Sequence, residues 1–268
     1  MPKGNTRVTG KEQYYTLPEV VDQCVSIALP YLKEENLLEP AGGTGEFIEG
    51  LLRCGIYDER IYSYDIEPKH GFVEKGDFLQ QTLEEQFFVI SNPPFGRANS
   101  LSVKFFNHCA KNATYICFLI PKAWRKWSIV NKLHRNFHLV EDVEMPKVAF
   151  YNEDGPIGGG NLSTVFQVWE YRTELRDIIT VEDRGYLISS EPGDAEVAIT
   201  FFGYSSGRIE TDFIREPNTT KKYFKVKDAT VIDALQAVDY SRFNRNVSYT
   251  YSLSKSEINF LLNEWYDK

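Results

Sequence analysis

The sequence predicts an α/β fold, an open sheet joined to a smaller C-terminal α+β region, and three observations predict it. Short apolar strands alternate with helix-periodic segments from Asn36 to Ile120. Glu39, Asp65, Asp77 and Asn92 recur at the ends of those strands, where open α/β sheets hold their ligands. From about Arg172 the texture changes to shorter strands joined by tight turns.

In chain order, Thr16 is placed to cap a helix over 19–32. Pro18 lies in its first turn, and Val20, Val21, Cys24, Ile27, Ala28 and Leu32 fall at helical spacing. A strand at 36–39 runs into glycines 42, 43 and 45 and then into a helix over 47–52. Further strands are predicted at 60–64, 73–79, 87–91, 114–120, 137–143 and 163–171, with helices over 102–111 and 129–136. That makes seven strands in a domain of residues 1–172. In residues 173–268 the pattern gives strands at 177–181, 185–189, 196–203, 208–215, 221–226 and 247–251. Helices follow over 228–238 and 255–266, the second opened by Ser254 and Glu257 in a capping box.

The chain has 268 residues and a formal net charge of −8, so nucleic acid cannot be held by overall charge and any such contact must be local. Cys24, Cys54, Cys109 and Cys117 are scattered and form no pair with metal-ligand spacing, and His70, His108, His134 and His138 sit near no cysteine motif. Reduced, buried thiols are expected. The polar N-terminus lacks a signal-peptide core and no run is long enough to span a membrane, which predicts an intracellular protein, cytoplasmic or with the nucleoid or nucleus.

The stretch with the most chemistry is Ile90-Ser91-Asn92-Pro93-Pro94-Phe95-Gly96. Two prolines fix φ and remove two donors, leaving their carbonyls and the Asn92 amide as acceptors suited to an exocyclic amino group. Upstream, Glu39-Pro40-Ala41-Gly42-Gly43-Thr44-Gly45 is a strand-to-helix turn whose glycines allow positive φ and close approach of a ligand. It has neither the dinucleotide fingerprint nor a P-loop lysine. Asp65 stands where a ribose hydroxyl pair would lie in a βαβ unit, or forms a turn. Asp77 and Phe78 could accept from and stack on an adenine. Lys122, Trp124 and Arg125 interleave charge and rings in a manner that suits phosphate contact and base stacking, or an exposed helix start. The loop 148–160 opens with Phe150 and Tyr151 and is rich in glycine. Arg215, Lys221, Lys222, Lys225, Lys227, Arg242 and Arg245 make the C-terminal region locally basic, either as a solvated face or for substrate recognition.

Taken together, the Glu39–Gly45 turn and Asn92-Pro93-Pro94-Phe95 resemble those of S-adenosylmethionine-dependent N6-adenine methyltransferases, over roughly residues 14–171. The resemblance implies a mainly parallel, seven-stranded Rossmann-like methyltransferase sheet with an antiparallel last strand. It implies S-adenosyl-L-methionine as cofactor, held by Tyr15, Thr16, Glu39, Pro40, Ala41, Gly42, Gly45, Asp65, Ile66, Asp77, Phe78 and Asn92. Asn92, Pro93, Pro94 and Phe95 are the expected catalytic residues. Phe150 or Tyr151 would meet the target base, and Lys122, Trp124, Arg125, Lys221 and Lys222 would contact substrate. The expected activity is methyl transfer to adenine N6 in nucleic acid, with DNA favoured over RNA and residues 173–268 as target-recognition domain. Relatives with the same tetrapeptide also modify guanine N2 or a protein glutamine. An RNA enzyme, or a non-catalytic cofactor-binding subunit of a nucleic-acid-modifying complex, is the alternative.

Overall fold

A computed structural model describes residues 14–152, 155–156, 162–214 and 220–268. Arg215 and most of the glycines of the 148–160 loop lie outside the described residues. Two compact units divide the chain: one takes the residues up to Trp124 together with Ser128–Asp177, the other Arg125–Trp127 and Ile178–Lys268.

The first unit opens with β1 (Tyr15–Thr16) and α1 (Pro18–Ala28), followed by β2 (Asn36–Glu39), α2 (Glu46–Arg53), β3 (Ile61–Asp65) and β4 (Glu74–Lys75). Then come β5 (Phe87–Ser91), α3 (Ser100–Cys109), β6 (Ala113–Pro121), α4 (Trp127–Val130, whose first residue is counted with the second unit) and β7 (Phe137–Glu144). It ends with β8 (Phe150–Asn152), β9 (Gly155–Pro156) and β10 (Thr164–Tyr171). Seven strands form one sheet in the order β4-β3-β2-β5-β6-β10-β7. The pairings from β4 to β6 are parallel, and β10 runs antiparallel to both β6 and β7. This is the open α/β sheet that the alternating pattern predicts, in the Rossmann-like arrangement that the resemblance implies.

Burial follows from composition. Every residue of β5, Phe87-Phe88-Val89-Ile90-Ser91, is buried, as expected of a central parallel strand covered on both faces. On one face Phe88 and Ile90 pack with Val21, Val25, Phe47 and Leu51 of α1 and α2. On the other, Val89 packs with Phe105, Phe106 and Cys109 of α3 and with Trp124. Strand order reverses between β2 and β5, so the loops after these two strands share the crevice where such sheets bind ligands.

Some local expectations are corrected. Thr16 does not cap α1: it is buried in β1, and Leu17 is the N-cap without a side-chain hydrogen bond. Residues 73–79 contain only the two-residue β4 and a following turn in which Asp77 accepts from Leu79 N. The helix expected over 129–136 stops at Val130 and gives way to i→i+3 turns, with Lys132 N donating to Ile129 O and Leu133 N to Val130 O. Distant side chains bond carbonyls of the segment as well. Arg176 donates to Val130 and Leu133, and Asn107 donates to Lys132. Cys54 is exposed, unlike the other three free thiols.

In the second unit, β11 (Leu187–Ser189), β12 (Val197–Thr200), β13 (Ile209–Glu210) and β14 (Lys221–Val226) form an antiparallel sheet in the order β11-β14-β12-β13. Val197, Ile199 and Phe224 of the sheet share a core with α5 (Thr230–Ala237) and α7 (Lys255–Tyr266). A further short helix, α6 (Ser241–Asn244), was not foreseen, and no strand forms at 177–181 or 247–251. Ser254 and Glu257 do form the capping box that opens α7. The buried Glu257 also holds Lys126, whose Nζ donates to both carboxylate oxygens (2.8 and 2.9 Å) and to the carbonyls of Phe243 and Ser252.

Candidate active site

Glu39 ends β2 and Ser91 ends β5, and their side chains meet. Glu39 is 1% exposed, and its Oε1 accepts from Ser91 Oγ (2.5 Å) and Ala41 N (3.0 Å). Its Oε2 is buried without a partner. Burial pushes its carboxyl up to about 8; the bonds from Ser91 and Ala41 oppose this, and the charge of Asp65 adds to it. A carboxylate so placed calls for a cation or a proton.

Asn92 follows Ser91. Its Nδ2 donates to the carbonyl of Tyr14 (2.8 Å), which fixes the carboxamide and turns Oδ1 into a buried acceptor with no partner. Buried polar atoms are nearly always paired, so the orphan Oδ1 of Asn92 and the orphan Oε2 of Glu39 are both exceptions that require an account. The peptide plane beyond Pro94 is equally constrained. Gly96 has φ +69°, and a Cβ there would lie 2.9 Å from Leu101 N; Ala98 and Asn99 both take left-handed φ (52° and 61°). Backbone of this kind, costly for a residue with a Cβ, clusters at functional sites.

The glycine turn is held closely by the protein itself. Gly42 N donates to Tyr64 O, and Gly43 N to Asp65 Oδ2 (3.0 Å). Asp65 Oδ1 accepts from Glu67 N (2.8 Å), so the turn-forming role of Asp65 is realised and each oxygen keeps a lone pair for another donor. In the Cβ directions lie protein atoms: Ser63 Oγ at Gly42, the Tyr15 ring at Gly43 and the His70 ring at Gly45. These glycines are therefore demanded first by packing. Ile66, next to Asp65 in sequence, is 50% exposed and free to form an apolar wall.

Tyr15 and Thr16, in β1, are brought to this turn by pairing with Tyr151 and Phe150 of β8. The Tyr15 and Tyr151 rings are 5.6 Å apart, and Tyr151 Oη donates to Glu46 Oε1 (2.6 Å) with Thr44 Oγ1 3.3 Å away. Tyr151 thus serves the glycine turn and is not offered to a base. Phe150 is 4% exposed and packs on Tyr14 and Phe95. Phe95 is itself 7% exposed, its ring stacked on Tyr14 at 5.9 Å. Stacking of Phe95 on a ligand therefore needs Tyr14 to yield.

Other expected contacts fall elsewhere. Trp124 is fully buried, donating its indole N–H to Ser102 Oγ and packing on Phe106 and Phe118, so it cannot stack on a base. Phe78 is 2% exposed among Tyr64, Phe105 and His108, which removes its ring as an adenine platform while exposed Asp77 remains accessible. Lys122 pairs with Glu144, and Lys221 with Glu210. Arg125 and Lys222 belong to the second unit, Lys222 exposed with its ammonium 4.4 Å from the Phe201 ring centroid. Pro93 is buried, and Pro40 and Ala41 lie in the turn after β2. Tyr14 and Ser91 are the site residues that the sequence concealed; Ser91 alone left a signal, as the one polar residue closing an apolar run. Among the described residues no group of histidines, cysteines and carboxylates is placed to hold a metal, and no helix is long and apolar enough to cross a membrane.

The sheet order, with an orphan carboxylate and an orphan carboxamide on adjacent strand ends, defines a Rossmann-like α/β protein with a ligand edge at the strand-order reversal. Among curated proteins, the chain is similar to the type II methyltransferases M.HincII and M.HindII of Haemophilus influenzae, each 29% identical over 94 residues. That match covers 34% of this chain and 18% of each relative's length. Solved structures that superpose on part of it include the M protein of the type I restriction enzyme EcoKI, at 15% identity and TM-score 0.43, covering 59% of this chain and 44% of that one. TrmN from Thermus thermophilus superposes at 14% identity and TM-score 0.44, covering 58% and 49%. No family model matches the sequence.

Proposed function

We propose that this protein transfers a methyl group from S-adenosylmethionine to the N6 amino group of adenine in DNA. The observation that carries the reading is Asn92 Oδ1, a buried acceptor without a partner, whose amide is held in one orientation by Tyr14 O. Similarity to two type II methyltransferases supports the reaction class.

The residues of the glycine turn fit the cofactor by their donor and acceptor inventory. Glu39 Oε2, orphaned and buried, is a partner for the ammonium of an amino-acid moiety. Asp65 keeps a lone pair on each oxygen for ribose hydroxyls, exposed Asp77 is an acceptor for an adenine amino group, and Ile66 supplies apolar surface. When bound, S-adenosylmethionine supplies an electrophilic methyl on a sulfonium.

What the chain does is position and polarise. An adenine N6 lone pair is delocalised into the ring and is a poor nucleophile. Hydrogen bonds from its two protons to Asn92 Oδ1 and to the Pro93 carbonyl favour a pyramidal nitrogen with its lone pair free. Neither acceptor has to reorganise, because Tyr14 and the proline backbone have fixed them beforehand. No side-chain base is needed before transfer, since the N6 proton can leave after the new bond has formed. A duplex base must leave the stack to arrive here, at a cost of about a few kcal/mol. Displacing the Tyr14 ring would open the Phe95 face to it.

The test is incubation of mixed DNA and RNA with methyl-labelled cofactor, followed by nucleoside mass spectrometry. Label in N6-methyldeoxyadenosine is the expected result. Label confined to RNA, to guanine or to protein glutamine would replace the substrate assignment, and no label with intact cofactor binding would make the chain a binding subunit.

A further inference from the structure

We propose that the second compact unit carries a docking surface for unpaired DNA bases, formed by Phe202, Tyr204, Tyr251 and Arg245. The inference rests on the nucleic-acid reading above and assigns it a surface outside the catalytic edge.

Two segments distant in sequence build the surface. Gly203 N donates to Tyr251 O and Leu253 N to Phe201 O, both at 2.9 Å, with Phe202 bridged to Ser252 between them. Strand alternation sends Phe201 into the core, 1% exposed, and leaves Phe202 50% exposed. Tyr204 is 84% exposed, and its ring meets that of Tyr251 edge to face at 5.7 Å. The Arg245 guanidinium lies 6.0 Å from the Tyr251 ring centroid. Tyr249, on the same segment, is 56% exposed.

Charge complementarity chooses the occupant. In a chain of net charge −8, segments 197–209 and 240–256 contain Arg208, Arg242, Arg245 and Lys255 and no acid, with Glu196, Glu210, Asp239 and Glu257 at their borders. Three of these cations pair with acids from elsewhere in the unit: Arg208 with Glu210, Arg242 with Glu264 and Lys255 with Asp183. Arg245 makes no ion pair within 4 Å among the described residues, although its charge reaches Asp239, and it lies against a ring. Exposed rings beside a guanidinium without a close ion pair offer what single strands require: π-faces for successive bases and a charge for the phosphates. Lys221, named from the sequence for this task, is neutralised by Glu210. Lys222 and Lys225 of β14 remain exposed, so the aromatic bridge adds to them and replaces Lys221 alone.

The experiment measures binding of a short single-stranded DNA by fluorescence anisotropy across a salt series, with a duplex and an RNA strand of the same sequence alongside. Tyr204→Ala combined with Tyr251→Ala is expected to weaken strand binding about tenfold or more. Arg245→Glu is expected to lower the slope of log K against log salt by about one. The duplex should bind more weakly than the strand. Tyr57→Ala, at a 74%-exposed ring of the first unit, should bind as wild type. Unchanged thermal melts separate loss of the surface from loss of the fold. Affinities of the double variant within about twofold of wild type overturn the surface, as does tighter binding of the duplex. Tighter binding of RNA overturns the choice of DNA. The catalytic reading fails separately: Asn92→Ala should bind the strand normally and methylate it about 10²–10³-fold more slowly. A chain that methylates DNA yet is indifferent to the surface variants loses only the surface.

Discussion

Asn92 and Tyr204 represent opposite ways of keeping a group available. Asn92 Oδ1 is buried and unpartnered, with its carboxamide pinned by a backbone carbonyl on a strand end of the first unit. Tyr204 is almost wholly in solvent at a bridge in the second. A buried orphan acceptor is costly and rewards one matching donor strongly, whereas an exposed ring costs little and rewards any flat partner modestly. Selectivity for a chemical group is thus expected from the first unit, and tolerance of sequence from the second.

Four substitutions test the contrast, beginning with the largest effect. Lys126→Ala strands the buried Glu257 carboxylate and leaves the Phe243 and Ser252 carbonyls without their donor; a loss of about 3–5 kcal/mol is expected in denaturant unfolding. Full stability in that variant would mean that the second unit does not depend on its buried charge pair. Asn92→Ala should lower kcat about 10²–10³-fold while calorimetry finds cofactor affinity little changed. Retained turnover would break the contrast at its first term.

Glu39 gives a pH signature. Its folded pKa, about 8, lies above the ordinary carboxylate value, so the folded chain binds a proton that the unfolded chain has lost. Its contribution to stability is full below the unfolded pKa and is lost as pH rises through the folded one, at about 1.4 kcal/mol per unit in between. Melts of Glu39→Gln against wild type should therefore diverge from pH 5 to 8, the variant being less sensitive; parallel curves would show that Glu39 is ionised throughout. Cofactor affinity should rise over the same interval if the ammonium pairs with an ionised Glu39. Smallest is Ser254→Ala, which removes half of the α7 capping box and should cost about 1 kcal/mol with no effect on methyl transfer.

How much was legible in the sequence follows from the range of the interactions. Runs such as Phe87–Ile90 and the helix-periodic α1 encode their own burial, so the seven-stranded sheet and the strand ends at Glu39, Asp65 and Asn92 could be read directly. Trp124 could not: its basic neighbours suggested a surface, and its burial depends on Ser102 and Phe106, some twenty residues away. Arg176 bonds the carbonyl that ends α4 from 46 residues away, and the orientation of Asn92 depends on a carbonyl 78 residues upstream. Phe78 and Tyr151 were assigned to ligands because an aromatic ring at a loop end reads the same whether it meets a base or the protein.

The chain leaves the first unit after Trp124, lends Arg125–Trp127 to the second, and returns at Ser128. A fragment ending near Asp177 would carry the Lys126 ammonium and the Trp127 ring without Glu257, Phe243 and Phe260. A fragment beginning at Ile178 would bury Glu257 with no counter-ion. The two units are thus not interchangeable modules, and grafting either one onto another protein means carrying this three-residue detour with it or redesigning the pocket it fills.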